Sequence, residues 1–344
     1  MHAAYCIAPG TMDLRDVDAP TARRDAAVPE AVIKVHNCGI CGSDLHYFHG
    51  NFPAPPVCPG HEISGEVVDV SAPDGLRPGD RVAVEPLVVC GACAYCRVGD
   101  YQLCTKFRLL GTMLDGGFAE YLRVPTYTLF ALPDAIDYEV GALTEPLAVV
   151  VHAVRLAHVR LGDRVLVLGA GTIGLLAIAA ARAAGAGDVW ITARHPHQAA
   201  AAAAIGATRV FATDAGELSD AARAQPVDVV IETVGGTADT LTEAVQLARP
   251  GGSVSVLGVF TMPPTLNALL LVVKEVRLIG SLTYGRCGTR ADFDVALQLL
   301  AQQPEIFRRL ITHRFALAEI TRGFQTALDK RSGSIKVSIC PAAA

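Results

Sequence analysis

The sequence predicts an α/β protein of two domains, one rich in β-strands and one built on a doubly wound parallel sheet. Three observations support this fold class. The chain has 344 residues, which is more than one compact core usually holds. The first 150 residues contain short β-branched runs separated by Gly, Pro and Asp. From about residue 153 to residue 285, short apolar strands alternate with helical stretches, which is typical of parallel crossover units.

Individual segments carry the assignment of each element. In the N-terminal part, three runs predict strands: AVIKVHNCGI, EISGEVVDV and DRVAVEPLVV. In the central part, DRVLVL predicts a buried strand, followed by a glycine turn and an Ala/Leu-rich helix. DVWITAR, DVVIETVG and GGSVSVLGVF then predict further strands, and ADTLTEAVQLARP predicts a helix. The tail contains the predicted helix ADFDVALQLLAQQ and the predicted strand GSIKVSIC, but composition alone assigns it to neither domain.

Composition and charge exclude several function classes. Apolar residues make up 51% of the chain and charged residues 18%, so the sequence predicts folded domains rather than disorder. A formal net charge of -5 provides no basic surface for nucleic acid or anionic lipid. The uncharged run at 165–181 is short and rich in glycine, so we expect no membrane span. Ten cysteines without an N-terminal signal sequence indicate a reducing, cytoplasmic compartment.

Four of the ten cysteines are concentrated in the segment CGACAYCRVGDYQLC. Structural zinc takes four ligands in a tetrahedron, and pairs of cysteines separated by two residues allow the backbone to curl around the ion. An iron–sulfur cluster is the alternative, but seven residues separate the last two cysteines and no proline follows them, which fits ferredoxin motifs poorly. We therefore predict a closed structural zinc site, which stabilises its loop and takes no part in catalysis, at Cys90, Cys93, Cys96 and Cys104.

A second group of potential ligands has the composition of an open metal site. Cys41 follows a glycine, His61 and Glu62 lie in a Pro-Gly-His-Glu turn, and Glu145 lies in the apolar stretch GALTEPLAVVVHAV. A buried carboxylate needs a cation or several donors to offset its desolvation. Two or three protein ligands with one position vacant is the arrangement of catalytic zinc.

The segment LGAGTIG predicts a dinucleotide site. It supplies Gly169, Gly171 and Gly174, with Thr172 and Ile173 between them, at the junction of a predicted strand and a predicted helix. Glycines there allow a tight turn, close approach of a pyrophosphate and packing of the helix on the strand. The alternative is a packing turn that binds no nucleotide.

The end of the next predicted strand indicates which cofactor is used. NAD-specific sites carry an Asp or Glu there, about twenty residues after the glycine turn, for the adenosine ribose hydroxyls. This sequence has Ala193, followed by Arg194 and His195. A guanidinium would accept a 2′-phosphate that a carboxylate would repel. We therefore favour NADP over NAD. The alternative is that Arg194 stacks on adenine or faces solvent while NAD is used.

Taken together, these motifs resemble one known family. Gly-His-Glu at 60–62, the four-cysteine segment, RPGDRVAV at 77–84, Glu-Pro at 145–146 and the glycine turn occur in the order seen in the zinc-dependent medium-chain alcohol dehydrogenases. Within that family, the sequence is similar to the sorbitol/polyol, threonine and butanediol dehydrogenases. The resemblance implies a GroES-like catalytic domain from residues 1–152 and 286–344, and a Rossmann domain from residues 153–285. It also implies a homodimer or homotetramer.

The resemblance assigns roles to individual residues. It implies that Cys41 and His61 bind a catalytic zinc, with Glu62 and Glu145 competing for the third position, and Cys38 or Cys58 could in principle replace a glutamate. Asp44 would fix the ring of His61. Ser43 would take the proton of the substrate and His46 would pass it towards solvent, although Ser43 and Asp44 also suit a helix N-cap. Residues near the nicotinamide would be Leu257, Val259, Ser281 and Leu282.

The function that follows is a zinc-dependent dehydrogenase with two Zn²⁺ per chain. It would transfer a hydride between a small alcohol or polyol and NADP(H) or NAD(H), giving the ketone or aldehyde, and zinc would lower the pKa of the alcohol. One alternative is a zinc-independent quinone or enone reductase of the same fold. Another is a protein that binds the cofactor without turnover. A nucleic-acid-binding zinc ribbon is disfavoured by the negative net charge.

Overall fold

The computed structural model describes residues 1–72, 75–213 and 215–341. The chain divides into two compact units. The first contains Met1–Glu145 together with the chain from Gly285 onward, and the second contains Pro146–Tyr284. Each unit is described by itself.

The N-terminal part of the first unit consists mainly of short strands. These are β1 (His2–Ala8), β2 (Thr11–Asp16), β3 (Glu30–Gly39), β4 (Glu62–Val70), β5 (Arg81–Val84), β6 (Leu87–Val88), β7 (Arg108–Leu109), β8 (Tyr121–Pro125) and β9 (Leu129–Ala131). Three helices interrupt them: α1 (Gly42–His49), α2 (Ala94–Val98) and α3 (Tyr138–Ala142). The predicted strand EISGEVVDV coincides with β4, which is rich in β-branched residues and is buried along its first half.

The second unit alternates strands with helices. Its strands are β10 (Arg164–Leu168), β11 (Asp188–Thr192), β12 (Arg209–Phe211), β13 (Val227–Glu232), β14 (Ala248–Val256) and β15 (Arg277–Gly280). Helix α4 (Thr144–Leu156) begins in the first unit and continues into this one. The remaining helices are α5 (Thr172–Ala183), α6 (Pro196–Ala204), α7 (Ala215–Ala224), α8 (Thr240–Leu247) and α9 (Ala268–Val273).

The strands of the second unit form one parallel sheet in the order β12-β11-β10-β13-β14-β15. The order reverses direction between β10 and β13, which is where doubly wound sheets bind their ligands. Trp190, Leu166 and Val230 lie in its core with almost no exposed surface. This architecture confirms the predicted α/β class with a doubly wound parallel sheet.

The tail returns to the first unit. It contains β16 (Arg286–Cys287), β17 (Arg290–Ala291), α10 (Asp292–Gln302), α11 (Pro304–Arg308), β18 (Ile311–Ala316), α12 (Ile320–Leu328) and β19 (Lys336–Cys340). Strand β19 pairs antiparallel with β3, opposing Ser338 to Gly39, in a sheet of order β18-β19-β3-β4-β5-β9 that β8 joins through β3. The last strand of the chain therefore lies beside β3, which leads into Cys41.

The first junction between the units differs in position from the predicted one. We expect it at residue 152 from composition, whereas the structure divides the chain after Glu145. Helix α4 runs through both positions and is apolar along most of its length, so composition does not change at the junction itself. The second junction lies between Tyr284 and Gly285, one residue before the predicted one.

Candidate functional site

The four cysteines of the loop around α2 converge on one point. Their Sγ atoms all lie within 4.8 Å of one another. Cys93 and Cys96 are 3.5 Å apart, Cys90 and Cys104 are 3.5 Å apart, and Cys90 and Cys96 are 4.0 Å apart. A tetrahedron of sulfurs about 2.3 Å from zinc has edges of about 3.8 Å. The donor set and its spacing therefore fit a four-coordinate zinc.

Backbone donors prepare these sulfurs for a cation. The amides of Cys93 and Lys106 donate to the sulfurs of Cys90 and Cys104, respectively, each at 3.4 Å. Hydrogen bonds from the amides of Cys96 and Thr105 lower the pKa of Cys93 to about 6. Burial raises the pKa of Cys96 to about 12, so the backbone donors favour the thiolate, which is the form that binds zinc, at Cys93 in particular.

A second group of polar residues lies in the first unit, where strand β3 ends and strand β4 begins. Strand β3 ends at Gly39, opposite Glu62 at the start of β4, so the register brings the segments after β3 and before β4 together. Cys41 follows β3 as the N-cap of α1, and its side chain lies close enough to the His61 ring to raise the pKa of that ring. Asp44 is buried on α1, and its Oδ2 accepts a hydrogen bond from the Cys41 amide at 2.9 Å. The structure thus brings together Cys41, His61 and Asp44.

The electrostatics of this group are those of a cation site. Burial alone would lower the pKa of His61, but the charges of Cys41 and Asp44 raise it well above its usual value. Burial raises the pKa of Asp44. His61 Nδ1 lies 3.8 Å from Asp44 Oδ1, and both atoms are buried without a hydrogen-bond partner in the described chain. Such orphaned atoms beside a thiol fit a zinc ligand whose ring is oriented by a carboxylate.

The two glutamates proposed for the third position have different surroundings. Lys336 Nζ donates to both carboxylate oxygens of Glu62 at 2.6 Å, and to the Ile40 carbonyl at 2.9 Å. Gly39 makes room for the Glu62 carboxylate, since a Cβ at that position would stand 2.0 Å from Oε2. Burial raises the pKa of Glu145 to about 7, and the charge of His61 acts against this rise. Glu62 is therefore hydrogen-bonded to an ammonium group, whereas Glu145 is influenced by the charges of His61 and Lys336.

Within the described chain, the Cys41 and His61 side chains have no third candidate ligand atom close to both of them. Among the described residues, the cysteine loop is the only place where three or more candidate ligand atoms lie within 4.8 Å of one another. The second site consists of a thiol and an imidazole in contact, with buried carboxylates around them. A zinc there would have two ligands in place and would draw in a third.

Ser43 and His46 lie one turn apart on helix α1, which begins directly after Cys41. Burial lowers the pKa of His46, whose ring packs edge-on against Phe52 with 5.3 Å between ring centres. The N-cap of α1 is Cys41, so neither Ser43 nor Asp44 is the N-cap, although Asp44 at the third helical position takes part in capping through the Cys41 amide. Asp44 returns its carboxylate to the Cys41 amide and faces His61 at the same time.

The glycine turn has the geometry that a pyrophosphate requires. Gly169 has a φ of 97°, which favours glycine, and Gly174 lies so close to it that a Cβ there would stand 1.8 Å from the Gly169 carbonyl. Gly171 is the N-cap of α5, and a Cβ there would meet nothing within 4 Å. Thr172 and Ile173 begin the helix. Open space therefore lies in front of a helix N-terminus, where an anion is stabilised.

The remaining cofactor residues lie at the carboxyl ends of the parallel strands. Arg194 follows β11 and is exposed, while His195 is the N-cap of α6 and stacks on His197 with 5.5 Å between ring centres. Leu257 and Val259 follow β14, and Ser281 and Leu282 follow β15. Since these strands are parallel, all of these residues share the edge of the sheet that carries the glycine turn.

Comparison with known proteins identifies the family. Two family models match the chain: the alcohol dehydrogenase GroES-like domain over residues 28–134, and the zinc-binding dehydrogenase over residues 172–302. A sorbitol dehydrogenase from Bacillus subtilis is 34% identical over 324 residues, covering 91% of this chain and 90% of that protein. The chain belongs to the zinc-binding alcohol dehydrogenase family.

Solved structures of the family have the same fold. A zinc-binding dehydrogenase from Sinorhizobium meliloti bound to NADP aligns with a TM-score of 0.85 and 35% identity, covering 99% of each chain. Galactitol-1-phosphate dehydrogenase from Escherichia coli aligns with a TM-score of 0.88 and 30% identity, covering 99% of this chain and 100% of that one. The predicted family, its polyol branch and the activity class of an alcohol or polyol dehydrogenase using NAD(P) are confirmed. The zinc-independent reductase is disfavoured.

Three buried side chains of this family member were not identified from sequence. Lys336 lies in the predicted strand GSIKVSIC, where a lysine among apolar residues was the available signal. Glu85 follows β5 at the same sheet edge as His61, because Val84 pairs with Ile63, and burial raises its pKa to about 7. Glu232 ends β13 beside the glycine turn and is fully buried. Each is a charged residue in an apolar run, which indicates a buried partner.

The helices of the described part of the chain are short or carry polar residues. No helix there combines the length and the apolarity that crossing a bilayer requires. The run at 165–181 contains strand β10, the glycine turn and most of helix α5.

Proposed function

We propose that this chain oxidises a secondary alcohol or polyol to the ketone with NADP⁺, and catalyses the reverse reduction with NADPH. The observation that supports it most directly is the proximity of the half-buried Cys41 to the buried His61 ring where β3 ends and β4 begins, with Asp44 beside the ring. A thiol and an imidazole held together with buried carboxylates nearby match the donor set of an open zinc site. The cysteine loop would hold a second, structural zinc, giving two per chain.

For the third position of the catalytic site, we propose Glu145. Both oxygens of Glu62 are bound by Lys336, so its charge is already balanced by an ammonium group. Glu145 is buried, and the nearby charge of His61 acts on it. Glu62 would then act through Lys336 and the backbone of Ile40, holding the end of β3 in place for Cys41.

The chain's own residues supply the orientation and the proton path. Asp44 faces the Nδ1 edge of His61 at 3.8 Å, so with a metal bound it would orient the ring and leave the other edge for the metal. Ser43 takes the proton of the substrate hydroxyl, and His46 passes it on, since burial favours the neutral ring that accepts a proton. When bound, Zn²⁺ supplies a Lewis acid that lowers the pKa of the substrate hydroxyl.

The second unit binds the cofactor in this proposal. The N-terminus of α5 and the glycine turn receive the pyrophosphate, with Thr172 and Ile173 at the first helical positions. Arg194 and His195 bind the 2′-phosphate, and the small Ala193 replaces the carboxylate that would repel it. Leu257, Val259, Ser281 and Leu282 approach the nicotinamide. The S. meliloti neighbour bound to NADP supports the choice of cofactor.

The test is a panel of secondary alcohols, polyols and their ketones, assayed with both cofactors on zinc-loaded protein. We expect turnover of at least one alcohol–ketone pair, with kcat/KM for NADP⁺ about tenfold or more above that for NAD⁺, because a desolvated guanidinium–phosphate pair contributes more than 1.4 kcal/mol. Metal analysis of the same sample should give two zinc ions per chain.

Two outcomes would contradict separate parts of this proposal. A tenfold preference for NAD⁺ would show that Arg194 does not bind a 2′-phosphate. Zinc bound only by the cysteine loop, in a sample that still oxidises alcohols, would exclude Cys41 and His61 as ligands. Ala193→Asp is a matched variant for the first point, since it restores a carboxylate at the end of β11 and should shift the preference towards NAD⁺.

We further propose that a second copy of the chain covers the outer edge of the second unit. Strand β15 ends the sheet, so one side of it has no strand partner in the described chain. Helix α9, close before it in sequence, has three apolar side chains more than 70% exposed: Leu269, Val272 and Val273. An open edge beside an apolar surface favours pairing of like strands across a two-fold axis.

The molecular mass of the protein in solution tests the proposed pairing of two chains. We expect two or four times the 36.0 kDa chain mass, and Val272→Glu should lower the mass towards that of a single chain because it places charges in the interface. Val98→Glu, at an exposed valine of the first unit, is the control. A single-chain mass for the wild-type protein would contradict the proposal.

The ten free thiols support the reducing, cytoplasmic compartment expected for such an enzyme.

A further inference from the structure

A fully buried carboxylate lies at the end of β13, where the described chain offers it no cation. Glu232 has no exposed surface. Its Oε1 accepts hydrogen bonds from the Val234 amide at 2.8 Å, the Gly235 amide at 3.0 Å and the Thr240 hydroxyl at 2.7 Å. Three donors converging on one oxygen stabilise a carboxylate, but each donor is neutral. The negative charge is therefore held without a positive partner.

The other carboxylate oxygen points towards the loop that follows β14. Glu232 Oε2 is buried without a hydrogen-bond partner in the described chain, and a Cβ added to Gly258 would stand 2.3 Å from it. Gly258 lies between Leu257 and Val259, the two residues proposed to approach the nicotinamide. The Glu232 carbonyl also accepts hydrogen bonds from the Leu257 and Gly258 amides at 2.9 and 3.2 Å. Because Gly258 has no side chain, this loop can approach Glu232 Oε2 closely.

The same region is fixed to the glycine turn. The Gly236 amide donates to the Val259 carbonyl at 2.8 Å, and the Thr233 hydroxyl donates to the Leu168 carbonyl at 2.7 Å. A Cβ at Gly169 would stand 2.6 Å from Val234 Cγ2. The carboxylate thus lies next to two loops that the cofactor is proposed to contact. These contacts fix its position relative to both loops.

A buried charge without a counter-ion is costly, and a cationic ligand placed nearby offsets that cost. The two forms of the cofactor differ in this respect. The nicotinamide ring of NADP⁺ carries a positive charge, and the dihydronicotinamide ring of NADPH is neutral. A fixed carboxylate close to the ring therefore acts on one form and leaves the other almost unaffected.

We propose that Glu232 is a specificity-determining residue that favours the oxidised cofactor, because its carboxylate acts across Gly258 on the cationic nicotinamide ring. It touches neither substrate nor ring and exerts its effect through the electric field. The inference rests on the proposed function, since it requires the nicotinamide to lie at Leu257–Val259. It adds to that function a residue that sets the balance between the two redox forms of the bound cofactor.

The test is the ratio of two dissociation constants, measured by calorimetry on the zinc-loaded protein without substrate. Glu232→Gln keeps a carbonyl oxygen for the three donors and removes the charge. We expect the Kd for NADP⁺ to rise about tenfold, while the Kd for NADPH changes less than about twofold. A merely structural role would weaken both forms equally and leave the ratio unchanged.

Two control variants separate charge from geometry. Glu243→Gln makes the same chemical change on helix α8, at a half-buried site away from Gly258, and should leave the ratio unchanged. Thr240→Val removes one hydrogen bond to Oε1 and keeps the charge, so any weakening should affect both cofactor forms alike. If the Gln variant is recovered unfolded, Glu232→Asp replaces it. Its carboxylate is one carbon bond shorter, and the ratio should move about threefold in the same direction.

The outcomes distinguish this inference from the proposed function. Tight binding of both cofactor forms with an unchanged ratio in the Gln or Asp variant would overturn the inference alone. Failure of the wild-type protein to bind either NADP(H) or NAD(H) would overturn the proposed function and the inference with it. If NAD⁺ proves to be the better ligand, the same ratio is measured with NAD⁺ and NADH, because the nicotinamide ring is identical.

Discussion

His61→Ala is expected to lower kcat/KM by a factor on the order of 10³ while the chain stays folded, because Lewis-acid stabilisation of developing charge is worth several kcal/mol. The imidazole contacts the Cys41 thiol and has Asp44 behind it, so its removal leaves one donor where two were in place. Metal analysis of the variant should give one zinc per chain, held by the cysteine loop. The measurements are kcat/KM, zinc content and the thermal unfolding midpoint.

Two further variants provide the contrast. His49→Ala removes an exposed imidazole from the end of the same helix and should leave kcat/KM and zinc content at wild-type values. Cys93→Ala should also reduce the zinc content to one per chain, but it should mainly lower the unfolding midpoint, since the cysteine loop has no open coordination position. Wild-type activity of His61→Ala at matched folding would exclude the proposed catalytic site.

The parts of the site that sequence predicts well are those encoded locally. The four cysteines lie within fifteen residues, and a tetrahedral ion can be inferred from their spacing alone. The glycine turn is equally local, because the strand before it and the helix after it are visible as apolar runs. In both cases, a few residues close in sequence determine the geometry.

The proposed catalytic group depends on long-range pairing and cannot be derived from spacing. Cys41 and His61 meet because Gly39 opposes Glu62 in the antiparallel register of β3 and β4, and no pattern within either segment states that register. Their roles were inferred from resemblance to the family. Lys336 is further still from its partner, since 274 residues separate it from Glu62. A lysine in an apolar strand suggests some buried partner, but nothing within the strand identifies Glu62 as that partner.

The proposal of Glu145 as the third ligand uses a contact that the sequence does not reveal. Glu62 and Glu145 are equivalent candidates when only their residue type and apolar surroundings are known. Their contacts differ in the structure, because Lys336 hydrogen-bonds both carboxylate oxygens of Glu62, whereas it acts on Glu145 only through its charge. The distinction depends on β19, which the tail brings beside β3.

Lys336→Met is expected to lower the free energy of unfolding of the first unit by about 3–5 kcal/mol, because it leaves the buried Glu62 carboxylate without its cation. Methionine keeps much of the volume of the lysine stem, so loss of packing is small. Urea unfolding of the metal-free protein measures the change. Lys34→Met, at a half-buried lysine on the neighbouring strand β3, is the matched control and should change the free energy by less than about 1 kcal/mol.

The double variant Glu62→Gln/Lys336→Met tests whether the loss comes from the unpaired charge. It removes both members of the pair, so it should be more stable than Lys336→Met alone, and a double-mutant cycle with Glu62→Gln gives the coupling. Zinc should restore part of the stability of Lys336→Met, because the freed Glu62 carboxylate becomes available as a ligand beside His61. It should restore less in the double variant, where an amide replaces that carboxylate. Equal stabilisation of the two variants by zinc would mean that Glu62 cannot reach the metal even when Lys336 is absent.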